Sequence, residues 1–325
     1  MNTFPLLLKR EYWEHRNGFL WTPIWITGAF LVITALVIIS AEVFRSHANV
    51  QVGGFSLDGL RGSISADDIA KAGNGLDVSQ LVIAGMACAG LFFVTFFYLL
   101  GALYDDRRDR SVLFWKSLPV SDTATVASKA LTALLVIPAF ALVISTAAYL
   151  VFLVVICLWA GVHGLNALPA VFAAHPIGMF LRLAAMLPVG VLWALPTVGW
   201  LMFWSAYARS KPFLWAVLLP VLALISNWWI GVLGGPHISG DLNLASMLGR
   251  LLFSIMPGSW ISSKFGVSGP KGWLNPDGEH VVNSLDPSHV YGVLATPDVW
   301  IGVVVGVALL AGAIWFRGRR VETNV

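Results

Sequence analysis

Tyr104-Asp105-Asp106-Arg107-Arg108-Asp109-Arg110-Ser111-Val112-Leu113-Phe114-Trp115-Lys116-Ser117-Leu118-Pro119-Val120-Ser121-Asp122 stands between two long apolar runs, each able to cross a bilayer. Six consecutive ionic side chains, Asp105 to Arg110, cannot lie in hydrocarbon. At about 2.5–3.5 kcal/mol each at the centre of a span, they would cost on the order of 15–20 kcal/mol. The stretch is therefore a turn in water or at the headgroups, and the runs flanking it are membrane spans. Two readings of the turn stay open on these residues. It is either a positive-inside loop that only fixes topology, or a docking surface with a charged turn, an apolar and aromatic patch and a Pro break.

Composition agrees with the membrane assignment. The chain has 325 residues, 58% hydrophobic and 11% charged, with mean hydropathy +0.79. Soluble domains carry about 25% charged residues. A formal charge of +3 does not point to nucleic acid, because the basic residues sit beside the spans and form no stripe with interleaved aromatics. Cys88 and Cys157 both lie in apolar runs and read as small buried hydrophobes, not as a disulfide or a metal pair. The first apolar run is too long for a cleavable signal and reads as an uncleaved anchor.

Working outward, the pattern predicts an all-α polytopic membrane protein forming one transmembrane domain with six spans, at 19–41, 79–103, 125–159, 181–207, 212–233 and 299–316. An N-terminal amphipathic helix within residues 1–18 precedes them, where Leu6, Leu7, Leu8, Tyr12 and Trp13 alternate with Lys9, Arg10, Glu11, Glu14, His15 and Arg16. Residues 42–78 and 234–298 read as extracytoplasmic loops. The third span exceeds the roughly 20 residues a bilayer needs, so it tilts, bends at Pro138 or projects. Segment 161–179, broken by Pro169 and Pro176, reads as interfacial. Within the second long loop Leu244, Leu248, Leu251, Leu252 and Ile255 keep helical spacing, ended by Pro257-Gly258. That helix is a candidate outer gate.

An even number of spans puts both ends on one side. Cytoplasmic termini place Lys9, Arg10, Arg16, Lys129, Arg209, Lys211, Arg317, Arg319, Arg320 and the basic residues of the 104–122 turn inside. This is the positive-inside distribution, so the turn is cytoplasmic.

The spans hold no acidic residue near mid-bilayer, whereas ion-coupled carriers use intramembrane carboxylates or histidines to bind the driving ion. No HExxH and no P-loop G-x-x-x-x-G-K-[ST] occurs, and the histidines are scattered over loops. No metal, cofactor or catalytic residue is assigned. Energy for uphill transport would have to come from another chain. Two small-residue motifs, Gly302-x-x-x-Gly306 and Gly85-x-x-x-Ala89, read first as packing within one bundle.

Leu7-Leu8-Lys9-Arg10-Glu11, the six spans, and the second-to-third loop with Asp106-Arg107-Arg108-Asp109-Arg110-Ser111 and Ser117-Leu118-Pro119-Val120-Ser121 together resemble an ABC-2 type transporter permease, the membrane subunit of an ABC exporter. The resemblance implies that the charged loop is a short coupling helix seated on a separate ABC ATPase subunit that binds Mg-ATP. It also implies a second permease as partner, in a homo- or heterodimer, in the bacterial inner membrane. Asp105, Asp106, Arg107, Arg108, Asp109, Arg110, Phe114, Trp115, Lys116 and Pro119 are then the residues expected to touch the ATPase. Spans without fixed charge suit lipid-like or hydrophobic-peptide cargo. Two other classes fit the sequence: a membrane-embedded accessory or assembly protein, and a membrane enzyme using outer-loop Asp277, Glu279 and His280.

Overall fold

The computed structural model describes residues 4–47, 66–109, 121–234, 244–256, 258–259 and 285–322. Arg110, Phe114, Trp115, Lys116 and Pro119 lie outside the described residues, as do Asp277, Glu279 and His280. The described residues are helical and contain no strand, and six helices are long and apolar enough to cross a membrane.

Helix α1 (Phe4–Arg16) runs through a π-helical turn, Asn17–Trp21, into α2 (Thr22–His47). Both residues flanking the turn have right-handed helical dihedrals, so the N-terminal helix is continuous with the first apolar helix and no break or cap sets it apart. Gly18 lets the π turn come close to its neighbour, since a Cβ there would meet Val94 at 3.2 Å.

Helix α3 (Ala66–Ala102) starts well before the position read from sequence. Its 37 residues make about 55 Å of helix, against roughly 30 Å of bilayer hydrocarbon. Asp67 and Asp68 in the first turn favour the helix dipole, and Lys71 reaches back to Asp67 at 2.7 Å. Residues 66–78, expected to be loop because of their glycines, are thus helical. Gly73 in this stretch is a contact rather than a breaker: a Cβ would lie 2.9 Å from the backbone of Ala173. The residue packed there belongs to α7 (Leu168–Ala173), so segment 161–179 is a short helix laid on α3 between two long ones.

After α3 comes one short turn of helix, α4 (Tyr104–Arg108). Beyond the undescribed part of the turn, α5 (Asp122–Leu131), a π turn (Thr132–Val136) and α6 (Ile137–Val162) form a continuous third long helix. The π turn accommodates Pro138, which falls in the first turn of α6, where its missing N–H and ring cause least conflict. The helix runs on to Val162, longer than a bilayer crossing needs.

The chain continues with α8 (Pro176–Tyr207), α9 (Pro212–Val232), α10 (Leu244–Phe253), α11 (Pro287–Gly292) and α12 (Pro297–Glu322). Helices α8 and α12 form the tightest pair. An added Cβ at Gly306 would lie 2.6 Å from the carbonyl of Leu195, and one at Gly199 would lie 2.5 Å from that of Gly306. Gly302-x-x-x-Gly306 is therefore a seam inside the chain, where small residues let two backbones touch. Helices α2 and α9 leave broad apolar faces uncovered, with Trp25, Val32, Ile33, Leu36, Leu222 and Ile225 all exposed. A face of that size is at home in lipid.

Gly306→Ala forces these backbones apart, and an overpacked contact of this kind costs about 1–3 kcal/mol. The variant is expected to unfold several degrees below wild type when heated in detergent and followed by tryptophan fluorescence. Gly85→Ala, where nothing lies within 4 Å of the added Cβ, is expected to be neutral or stabilising.

Candidate functional site: a clamped elbow and an apolar cavity

The 104–122 elbow grows out of a deliberate break in α3. The N–H groups of Leu103 and Tyr104 both donate to Ser205 Oγ at 3.0 Å, a buried hydroxyl near the end of α8. The Arg107 guanidinium returns the connection, donating to the backbone carbonyls of Ser205 and Ala208, the latter at 3.1 Å. A cation on the last carbonyls of a helix is favoured by its dipole. At the other foot Ser121 caps α5, its hydroxyl accepting from the N–H of Ala124 at 3.1 Å.

One side chain holds both feet. Arg317, near the end of α12 and 3% exposed, donates through Nη1 to Asp106 Oδ2 at 3.1 Å and through Nε to Asp122 Oδ1 at 3.0 Å. The other oxygen of Asp106 faces Lys129 Nζ at 3.6 Å. Lys129, 2% exposed, also reaches Glu11 at 3.3 Å. Glu11, 1% exposed, accepts a 2.9 Å hydrogen bond from Tyr98 Oη. Tyr98 is held edge-on by His15 and Phe19. A chain of alternating charge thus runs Glu11, Lys129, Asp106, Arg317, Asp122 and ties α1, α5, the elbow and α12 together.

The residues expected to face a partner therefore divide. Asp106 points inward to Arg317 and Lys129, and Arg107 is bonded to the end of α8. Asp105, Arg108 and Asp109 are exposed. Glu11, which the sequence places among the charges of an amphipathic helix, is buried. Its position four residues from both Leu7 and His15 put it on the packed face, but its counter-ion lies 118 residues away. No sequence spacing signals such a pair.

Farther along the bundle α10 packs on α8 and α9, and its Arg250 side chain reaches the start of α12. Thr197 of α8 donates its hydroxyl to the carbonyl of Arg250 at 2.9 Å and accepts from the N–H of Ser254 at 3.1 Å. Arg250 lies over the Trp193 ring, 4.1 Å from its centroid, and donates to the carbonyl of Asp298 at 2.6 Å. Phe253 stacks on Phe92 of α3 at 5.9 Å. Thr197 precedes Ser205 by eight residues, so the end of α10 comes within about 12 Å of the elbow root measured along α8. Of the gate residues read from sequence, Leu252 and Ile255 are buried, and Leu244, Leu248 and Leu251 are half-buried.

Ser254, Ile255, Met256 and Gly258, just past α10, form one wall of a cavity of about 190 Å³. The other walls come from α3, α8 and the π turn with the start of α6. Irregular backbone among membrane spans is tolerated where it is buried in protein or lines a cavity. His163 pairs with Glu42 at 3.0 Å, and the carboxylate of Asp77 accepts from the backbone N–H of His175 at 3.0 Å, so these histidines sit in separate contacts. Among the described residues no group of three His, Cys, Asp or Glu is placed to hold a metal.

Removing one member of a buried ion pair while leaving its partner costs about 3–5 kcal/mol. Lys129→Met is accordingly expected to lower stability by that amount in chemical or thermal unfolding. Adding Glu11→Gln removes the orphaned charge, leaves Asp106 paired with Arg317, and is expected to recover most of the loss. In comparison with known proteins, the chain matches no family model, no curated protein and no solved structure.

Proposed function

We propose that the chain is the permease subunit of an ATP-driven ABC exporter of the ABC-2 type, in a bacterial inner membrane with both termini cytoplasmic. It works with a second permease and draws its energy from Mg-ATP hydrolysed on a separate ATPase chain. The observation that carries this reading is the grip of Arg317 on both feet of the elbow.

A loop that only fixed topology would need its charges in water and nothing more. Among the described residues of this elbow Asp105, Arg108 and Asp109 are exposed, while Asp106, Arg107 and Asp122 are bonded to neighbouring helices. A push on the outer face passes through Arg107 to the end of α8, through Asp106 and Asp122 to α12, and through Lys129 and Glu11 to α1. Helices α8 and α12 are joined by their glycine seam and move as one body. Helix α10 is bonded to both, at Thr197 and at Asp298, so their displacement reaches the outer gate. Rigid-body motion of packed elements is a common way to carry a local event across a protein. Mixed exposed charge suits an interface that sets register with a complementary partner.

Because Arg107 and Asp106 hold the fold, the informative variant changes only the exposed charges. Asp105→Lys, Arg108→Glu and Asp109→Lys together are expected to abolish co-purification of ATP-hydrolysing activity with the tagged protein, with the unfolding temperature unchanged. Retention of that activity at wild-type level would count against the interface. A non-ATPase partner lost in its place would favour the accessory-protein reading.

A further inference from the structure

We propose that the cavity between α3, α6 and α8 is a binding site for an uncharged hydrocarbon chain, closed on one side by the segment after α10. The inference does not depend on the permease reading, since it concerns binding to this chain alone.

Three observations carry it. First, the void is built by the sequence. Gly85 of α3 and Gly190 of α8 both line it, and a Cβ on either would meet nothing within 4 Å. Helix-interior glycine lowers helix stability, and most glycines at helix contacts here touch a neighbour, as Gly199 and Gly306 do. Gly85 and Gly190 keep space open instead. Second, the polar side chains at the wall already have partners. Ser145 donates to the carbonyl of Leu142, Ser254 pairs with Thr197, and Trp193 Nε1 donates to Ser259. The wall is overwhelmingly apolar, with only a few hydroxyls already engaged as donors, so water would be poorly held and a charged or polar guest would lose most of its own hydrogen bonds without replacement. Third, the size fits: about 190 Å³ exceeds the ~150 Å³ of an engineered apolar cavity that stays dry and takes benzene.

The guest is therefore an alkyl chain or an equally apolar group, resting against Ser254, Ile255, Met256 and Gly258 on one side. Such a chain comes either from a bilayer lipid tail or from a free hydrophobic molecule.

The test uses the full chain in nanodiscs with two photoreactive probes, a phospholipid carrying a diazirine in its tail and a free diazirine-bearing alkane, with the adducts located by mass spectrometry. Adducts on the cavity-facing side chains of Leu81 to Cys88 and Leu183 to Val191, reduced several-fold by excess unlabelled dodecane, are expected with at least one probe. The probe that labels identifies the source. Gly85→Leu with Gly190→Leu is expected to remove these adducts while those on exposed Leu222 and Ile225 persist. Should that variant fail to fold, Gly85→Ala with Gly190→Ala leaves the packing intact and is expected to weaken cavity labelling with an equal or higher unfolding temperature. Adducts confined to the outer faces, or cavity adducts indifferent to filling and to dodecane, would overturn the proposal. Neither result bears on ATPase co-purification, so the two readings fail separately.

Discussion

A single guanidinium sets the geometry of the inner end of this bundle. Arg317 is fully enclosed and makes two charge-assisted hydrogen bonds, one to each end of a fifteen-residue excursion between Asp106 and Asp122. Arginine suits the position because its planar fork directs Nε to Asp122 and Nη1 to Asp106 in fixed directions, whereas an ammonium sets no such geometry. Everything around it follows from the need to compensate buried charge. Asp106 bridges two cations, Lys129 bridges two carboxylates, and Tyr98 supplies the last donor to Glu11. Desolvation makes each of these groups expensive alone. As a set they are satisfied, and the set fixes where α1, α5, α12 and the elbow meet.

From that fixed point two helices run on as a joined pair. The α8–α12 seam has backbone in contact with backbone, so neither helix slides without the other. At one end the pair holds the elbow through Ser205 and Arg317; farther along it holds α10 through Thr197 and the carbonyl of Asp298. The cavity lies past the Thr197 attachment as seen from the elbow, along Leu183 to Ala194 of α8, beside the pair rather than within it. Its walls come partly from α8 and the segment after α10 and partly from α3 and the start of α6.

The helical class and the number of long helices were legible from hydropathy alone, because twenty apolar residues with a charged break leave few alternatives. The GxxxG on the last helix was legible as a packing motif. Helix ends were not. Glycines at 73 and 75 looked like breakers, yet Gly73 is where α7 touches α3, and propensity gave way to a tertiary contact. The charged elbow was legible as a feature but not in its division of labour. Asp106 and Arg107 look identical in sequence to Asp105 and Arg108; only the facing partners, Arg317 and the carbonyls of α8, separate structural charges from surface ones. The cavity was legible least. Gly85 and Gly190 mark it only once both are seen to face the same empty volume, and their separation of more than a hundred residues hides that.

Buried ion pairs are poor stabilisers compared with well-packed apolar side chains of equal size, so a network of five charges is not explained by stability alone. Its advantage is directional. An apolar cluster at the elbow root would tolerate sliding, since dispersion contacts re-form in many registers with little loss. A bidentate guanidinium between two carboxylates has one geometry, and leaving it exposes charge to a low-dielectric surround. An elbow mounted in this way transmits force or does not move, with little in between. For a loop that only marked the cytoplasmic side such rigidity would serve nothing. For a loop that receives work from a partner it is the condition for delivering that work to helices on the other side of the membrane.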